Sequence, residues 1–115
     1  MAWSEDRLQQ ECVMWFNNKY PELRGTLFSV PNGGTRNARE AMKMKQTGLY
    51  PGVSDLLFMH KGVTTCFELK TSVGKQSDNQ KKWQKVIEEQ HFKYFLIREL
   101  DLFKEIVNSI IYNKV

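Results

Sequence analysis

GLYPGVSDLLFMHKGVTTCFELKT, residues 48–71, sets one Asp, one Glu and one Lys on two adjacent expected strands, and the rest of the chain is organised around it. Residues 53–59 (VSDLLFM) and 64–71 (TTCFELKT) are apolar and partly β-branched, with the turn signal His60-Lys61-Gly62 between them. They predict a β-hairpin with a loop of about four residues. Strand side chains alternate, so Glu68 and Lys70 leave the same face of the sheet while Phe67 and Leu69 leave the other. Asp55 is the only charge in an otherwise apolar run, and a charge there needs a partner, a metal or water. Two carboxylates and an ammonium are thus expected to converge.

Carboxylate oxygens are hard ligands suited to Mg2+ or Mn2+, which keeps several waters and takes one or two carboxylates from a protein. A lysine beside such an ion would orient or deprotonate an attacking water and steady charge on a phosphoryl oxygen. The implied reaction is metal-assisted phosphodiester hydrolysis. Taken singly, the same residues also read as an exposed cross-strand ion-pair face, with Glu68 and Lys70, and a strand residue, Asp55, at a solvated sheet edge.

Taken together, Pro51-Gly52-Val53-Ser54-Asp55 followed by Glu68-Leu69-Lys70 resembles the metal-binding signature of the PD-(D/E)XK nuclease superfamily, and within it the chain is most similar to the VRR-NUC domain. The resemblance spans Ser4-Glu5, the Pro31-Asn32-Gly33-Gly34 loop, the Gly-x-x-Pro-Gly-Val-x-Asp segment ending at Asp55, Glu-x-Lys, and a Ser-x-x-Gln helix start at Ser77 and Gln80. Ser54 stands where the superfamily name has Pro, at a position that carries no ligand. The resemblance implies Mg2+ or Mn2+ held by Asp55, Glu68 and the main-chain carbonyl of Leu69. It gives Lys70 the nucleophilic water, Gln80 a supporting amide, and an acid on the first helix, Glu5 with Glu11 as runner-up, a share in the site. It also implies a homodimer that cuts branched DNA such as four-way (Holliday) junctions, in a bacterial cytoplasm or phage-infected cell.

At 115 residues, with 41% hydrophobic residues and three Trp, the chain is expected to be one nuclease domain spanning 1–115 with one packed core. The net charge of +4 suits a polyanionic partner. No apolar run approaches the length of a membrane span and Met1-Ala2-Trp3 leads directly into charges, so a cytosolic protein is expected. Cys12 and Cys66 show no metal-ligand spacing and read as small buried residues. Neither His60 nor His91 has a partner at ligand spacing.

Ser4 is an N-cap, and Leu8, Cys12, Val13, Trp15 and Phe16 recur at helical spacing, which predicts a helix over 4–19 ended by Pro21. There Glu5 either approaches the sheet or simply complements the helix dipole. Residues 27–30 read as a short strand entering the glycine loop. That loop, with Asn32, Gly33, Arg36 and Arg39, is a candidate phosphate cradle or a tight turn with solvated arginines. A helix over 37–47, stopped by Gly48, carries Arg39, Lys43 and Lys45 on a basic face. Residues 72–76 read as a flexible link. Ser77 with Gln80 fits a capping box opening a helix to about residue 90, its Trp83, Val86, Ile87 and Gln90 expected toward the sheet and Lys75, Lys81, Lys82 and Lys85 forming a basic cluster. Residues 94–97 predict a strand buried on both faces, returning parallel to an existing one. A last helix capped by Asp101 has an apolar stripe wide enough for the monomer's core or for part of a second subunit.

The expected fold is therefore α/β, a mixed four-stranded sheet flanked by helices in the order α-β-α-β-β-α-β-α, as in a restriction-endonuclease-like core. The functional rivals are a non-catalytic nucleic-acid-binding module, against which the full Asp, Glu and Lys set argues, and a restriction-type or RNA-directed nuclease.

Overall fold

The computed structural model describes residues 3–31 and 37–113. Helix α1 (Glu5–Lys19) starts where the Ser4 hydroxyl accepts the Arg7 N–H at 3.1 Å, with Glu5 and Asp6 in its positive first turn. It buries Leu8, Cys12 and Phe16 and gives way to a 3-10 turn at Pro21–Leu23. Strand β1 (Leu27–Ser29) leads through residues outside the described set to α2 (Ala38–Gln46), where Asn37 caps the Glu40 N–H at 2.8 Å and Gly48, at φ +112°, ends the run. Strands β2 (Leu56–His60) and β3 (Val63–Leu69) form the hairpin. Helix α3 (Asp78–Glu89), strand β4 (Lys93–Ile97) and helix α4 (Leu100–Tyr112) complete the chain.

The sheet order is β1-β2-β3-β4, with the first two pairings antiparallel and β3 parallel to β4. His60 pairs with Val63, so the hairpin loop is two residues rather than four. Lys61 and Gly62 both take positive φ, 48° and 82°, the geometry whose twist matches that of the flanking strands. At the strand end His60 stacks on Phe58, with ring centroids 5.6 Å apart.

Alternation divides the sheet. One face carries Leu27, Leu56, Phe58, Phe67, Leu69 and Ile97 against Leu8, Cys12 and Phe16 of α1 and Phe103 and Val107 of α4. Aromatic edges lock this layer: Phe16 meets Phe58 at 5.3 Å and Phe67 meets Phe103 at 4.9 Å. The other face carries Cys66, Glu68 and Tyr94, and α3 lies over it with Trp83 at 6.1 Å from Tyr94. The result is a mixed four-stranded sheet between helices. Both cysteines are free and buried, and burial together with the neighbouring Glu11 pushes the Cys12 thiol up to about 12.

Several expectations change. Among the described residues β4 is an edge strand, and Phe95 and Leu96 are only half-buried, because no further strand follows the crossover. Val86 and Gln90 are exposed, since the narrow apolar stripe of α3 seats only Trp83 and Ile87. Glu99 rather than Asp101 is the N-cap of α4, which begins early enough to lay Leu100 on the core. Residues 71–76 are tied rather than loose: Nη1 of Arg98 donates to the Thr71 carbonyl at 2.6 Å and to the Gly74 carbonyl at 2.7 Å. No helix among the described residues is long and apolar enough to cross a membrane.

Candidate active site

The hairpin register sets the first relationship. Leu56 faces Phe67, so Asp55, one residue before β2, comes opposite Glu68. It sits just outside the ladder rather than inside the expected strand. There its Oδ2 accepts the Leu69 N–H at 2.8 Å, which anchors the carboxylate to β3. Its main-chain carbonyl accepts the Val30 N–H at 3.0 Å, tying the same residue to the end of β1.

Glu68 is 1% exposed, and each of its oxygens has a donor. Oε2 accepts from Nε2 of Gln80 at 2.9 Å, and Oε1 accepts from the Tyr94 hydroxyl at 3.3 Å. Gln80 is held at both ends. Its Oε1 accepts the Ser77 N–H at 2.8 Å while its own N–H donates to Ser77 Oγ at 3.2 Å, so the capping box leaves only the NH2 group for Glu68. Tyr94 in turn accepts from Gln76 Nε2 at 3.1 Å, and the same Nε2 donates to Gln84 Oε1 at 2.9 Å.

This environment shifts protonation. Burial, then the hydrogen bond and charge of Asp55, raise the Glu68 carboxyl from its ordinary 4.5 to about 8, against the opposing pull of the Lys70 ammonium and the Tyr94 hydroxyl. Burial and the Glu68 charge likewise push the Tyr94 phenol up. Lys70 is only 8% exposed, and its N–H donates to the Ile97 carbonyl at 2.9 Å, which aligns the residue at the carboxyl end of the parallel pair.

Glycine makes the assembly possible. Gly52 has φ +85°, and a Cβ there would lie 2.3 Å from the Asn79 carbonyl oxygen and 2.8 Å from the Gln80 nitrogen. The Pro51-Gly52 turn therefore packs directly on the first turn of α3, bringing Gln80 over the hairpin that carries Asp55 and Glu68.

Of the residues expected to act together, the structure gathers Asp55, Glu68, Lys70 and Gln80. It does not bring Glu5 or Glu11 into a carboxylate group with them. Glu5 is exposed on the first turn of α1, and Glu11 is paired with Arg7 at 3.2 Å. Among the described residues no three Asp, Glu, His or Cys side chains form a metal-holding set. Arg39, Lys45, Lys75 and Lys81 are exposed. Asn32, Gly33 and Arg36 lie outside the described residues. Tyr94, Gln76 and Gly52 were not singled out as working parts by their sequence pattern. Tyr94 reads as one more apolar strand residue, and only the parallel pairing that sets it beside Cys66 aims its hydroxyl at Glu68.

The donor set suits a hard divalent cation. Two facing carboxylates, one raised to about 8 by burial and by its neighbour Asp55, supply oxygen ligands, and a cation that retains waters needs no third side chain.

No family model and no curated protein matches the sequence. In three dimensions the chain is similar to a solved structure described as a VRR_NUC domain protein, with a TM-score of 0.77 and 16% identity over 96% of this chain and 90% of that one. The helices and mixed sheet that carry Asp55, Glu68 and Lys70 therefore have the fold of a VRR_NUC domain protein, a restriction-endonuclease-like core.

Proposed function

We propose that this protein is a divalent-metal-dependent endodeoxyribonuclease, a single nuclease domain that hydrolyses phosphodiester bonds in branched DNA such as four-way junctions. The observation that carries the reading is the buried Glu68, facing Asp55, held by an amide that a capping box has already oriented, with Lys70 two residues further along the chain, just past the end of β3. A structural ion pair would have no use for two facing carboxylates at the end of a sheet, with one of them forced to keep a proton.

Asp55, Glu68 and the Leu69 carbonyl would hold Mg2+ or Mn2+, which when bound lowers the pKa of a coordinated water and offsets charge on the phosphate. Lys70 positions the nucleophilic water and donates to the non-bridging phosphate oxygen as charge grows there. Gln80 and Tyr94 keep the Glu68 carboxylate in one rotamer. Glu5, exposed on α1, takes a role through water. Arg39, Lys45, Lys75 and Lys81, with Asn32, Gly33 and Arg36, contact the DNA backbone. A second subunit would cover the half-buried stripe of α4 at Ile106 and Ile110 beside the edge of β4.

The test is cleavage of a labelled four-way junction and the matching linear duplex by wild type and Lys70→Ala, with Mg2+, Mn2+ or chelator. Metal-dependent junction cutting, reduced about 10²-fold or more in the variant, is expected. Equal cutting of both DNAs removes the junction preference. Tight binding by wild type without cutting in either metal replaces the enzyme with a binding module.

A further inference from the structure

Beyond the carboxyl ends of the parallel strands β3 and β4 lies a cavity of about 440 Å³, lined by Trp3, Leu8, Ser72, Glu99, Leu100 and Asp101 among others. Open α/β sheets bind ligands in this position, because the chains diverge where parallel strands end and leave a crevice. The cavity lies in the layer of α1 and α4, on the sheet face opposite Glu68, and meets the candidate active site only through the main chain. Ser72 is two residues past Lys70, and Arg98 at its rim follows Ile97, whose carbonyl holds the Lys70 N–H.

The walls differ in chemistry. Leu8 and Leu100 are apolar. Trp3 is 40% exposed, and the Arg7 guanidinium lies 5.0 Å from its ring centroid, which steadies the indole as a platform. Glu99 is the N-cap of α4 but makes no side-chain capping bond, so its carboxylate stays available as an acceptor beside that of Asp101. The lining cation, Arg98, has Nη1 committed to the Thr71 and Gly74 carbonyls. Two carboxylates outnumber the one lining guanidinium, part of which is already bonded to the Thr71 and Gly74 carbonyls, and disfavour a phosphate. An aromatic platform with acceptors at its edge fits a nucleobase, which offers a π face for stacking and N–H donors for carboxylates.

We infer that this cavity takes one unpaired nucleobase of the DNA substrate, stacked on Trp3 and donating to Glu99 and Asp101. The inference deepens the nuclease reading and rests on it for the class of substrate. The protein then recognises an unpaired nucleotide, as found at bulges, flaps and imperfect branch points.

The experiment measures binding of the full chain, in Ca2+ instead of Mg2+, to a duplex with a single bulged 2-aminopurine and to the fully paired duplex of the same sequence. Wild type is expected to bind the bulged duplex about tenfold more tightly and to quench its fluorescence, since one base–aromatic stack is worth roughly that factor or more. Trp3→Ala should lose both the preference and the quenching while unfolding at the wild-type temperature, and Trp3→Phe should keep most of each. Equal affinity of wild type for both duplexes, or an equal loss on both in Trp3→Ala, overturns the pocket. Cutting the same duplexes with Mg2+ separates the two ideas. Cleavage without bulge preference sinks the base pocket alone, and bulge preference without cleavage sinks the nuclease and leaves the pocket as a binding site.

Discussion

The Gln80 amide nitrogen donates to Glu68 Oε2 across 2.9 Å while the oxygen of the same amide accepts the Ser77 N–H at 2.8 Å. One side chain thus closes the N-terminus of α3 and orients a buried carboxylate. The two jobs separate by mutation. Gln80→Ala is expected to lower cleavage at least about tenfold and stability by about 1–3 kcal/mol, through a lost cap and a carboxylate oxygen left without its donor. Ser77→Ala should cost about 1 kcal/mol with little change in rate. Equal rates for the two variants would show that the contact with Glu68 does not serve catalysis.

Tyr94→Phe removes the hydroxyl that links Glu68 to Gln76 while preserving the ring packed on Trp83. Groups that orient ligands typically tune metal affinity by about 10- to 100-fold. Mn2+ titrated calorimetrically into Tyr94→Phe should therefore bind at least about tenfold more weakly, with the fold intact by circular dichroism. Unchanged Mn2+ affinity would reduce Tyr94 to a packing residue.

The raised Glu68 carboxyl makes metal-free stability depend on pH. Between 4.5 and about 8 the folded state holds a proton that the unfolded state has released. Unfolding then releases protons, so stability is fullest below 4.5 and falls as pH rises toward about 8. At about 1.4 kcal/mol per unit the upper limit for this group is about 5 kcal/mol. Melting temperatures in EDTA should fall across that window in wild type and stay flatter in Glu68→Gln, which keeps a neutral side chain. Mn2+ should recover more stability at pH 8 than at pH 6, where it must displace the proton. Parallel melting curves for the two proteins would refute the assignment.

Gly52→Ala tests how the turn holds α3. The added methyl would meet the Asn79 carbonyl and the Gln80 nitrogen in a backbone conformation that L-residues rarely adopt. Expected are a loss on the order of 2–4 kcal/mol, from strain and displaced backbone together, and a fall in activity as Gln80 withdraws from Glu68. Gly25→Ala also has positive φ but open space around it, and should cost only about 1 kcal/mol with no change in activity. Equal effects at the two sites would mean that the contact with α3 is unimportant.

Much of this arrangement is local and was legible in the chain. Ser4 and Ser77 mark helix starts through their own side chains, and each caps as its type predicts. Period two puts Glu68 and Lys70 on one face whatever the rest of the molecule does. A two-residue error in the hairpin loop did not disturb this, because alternation within a strand is independent of the turn. The caps and the apolar periods were enough for the order of elements, and the Asp55, Glu68, Lys70 pattern for where to look for a site.

What lay beyond the sequence depends on pairings between distant segments. The parallel register of β3 and β4 sets the Tyr94 hydroxyl on Glu68. The approach of Gly52 to Asn79 sets Gln80 above the hairpin. The end of the sheet at β4 leaves Phe95 half-covered, and the direction of α1 keeps Glu5 out of a three-carboxylate group. Local propensity carries a residue's helix or strand period, but not which remote backbone it will meet. By itself, then, the sequence determined the elements and which residues share a strand face. Only tertiary packing, which buries Glu68 and sets Asp55 against it, decided which of those residues meet in the candidate site.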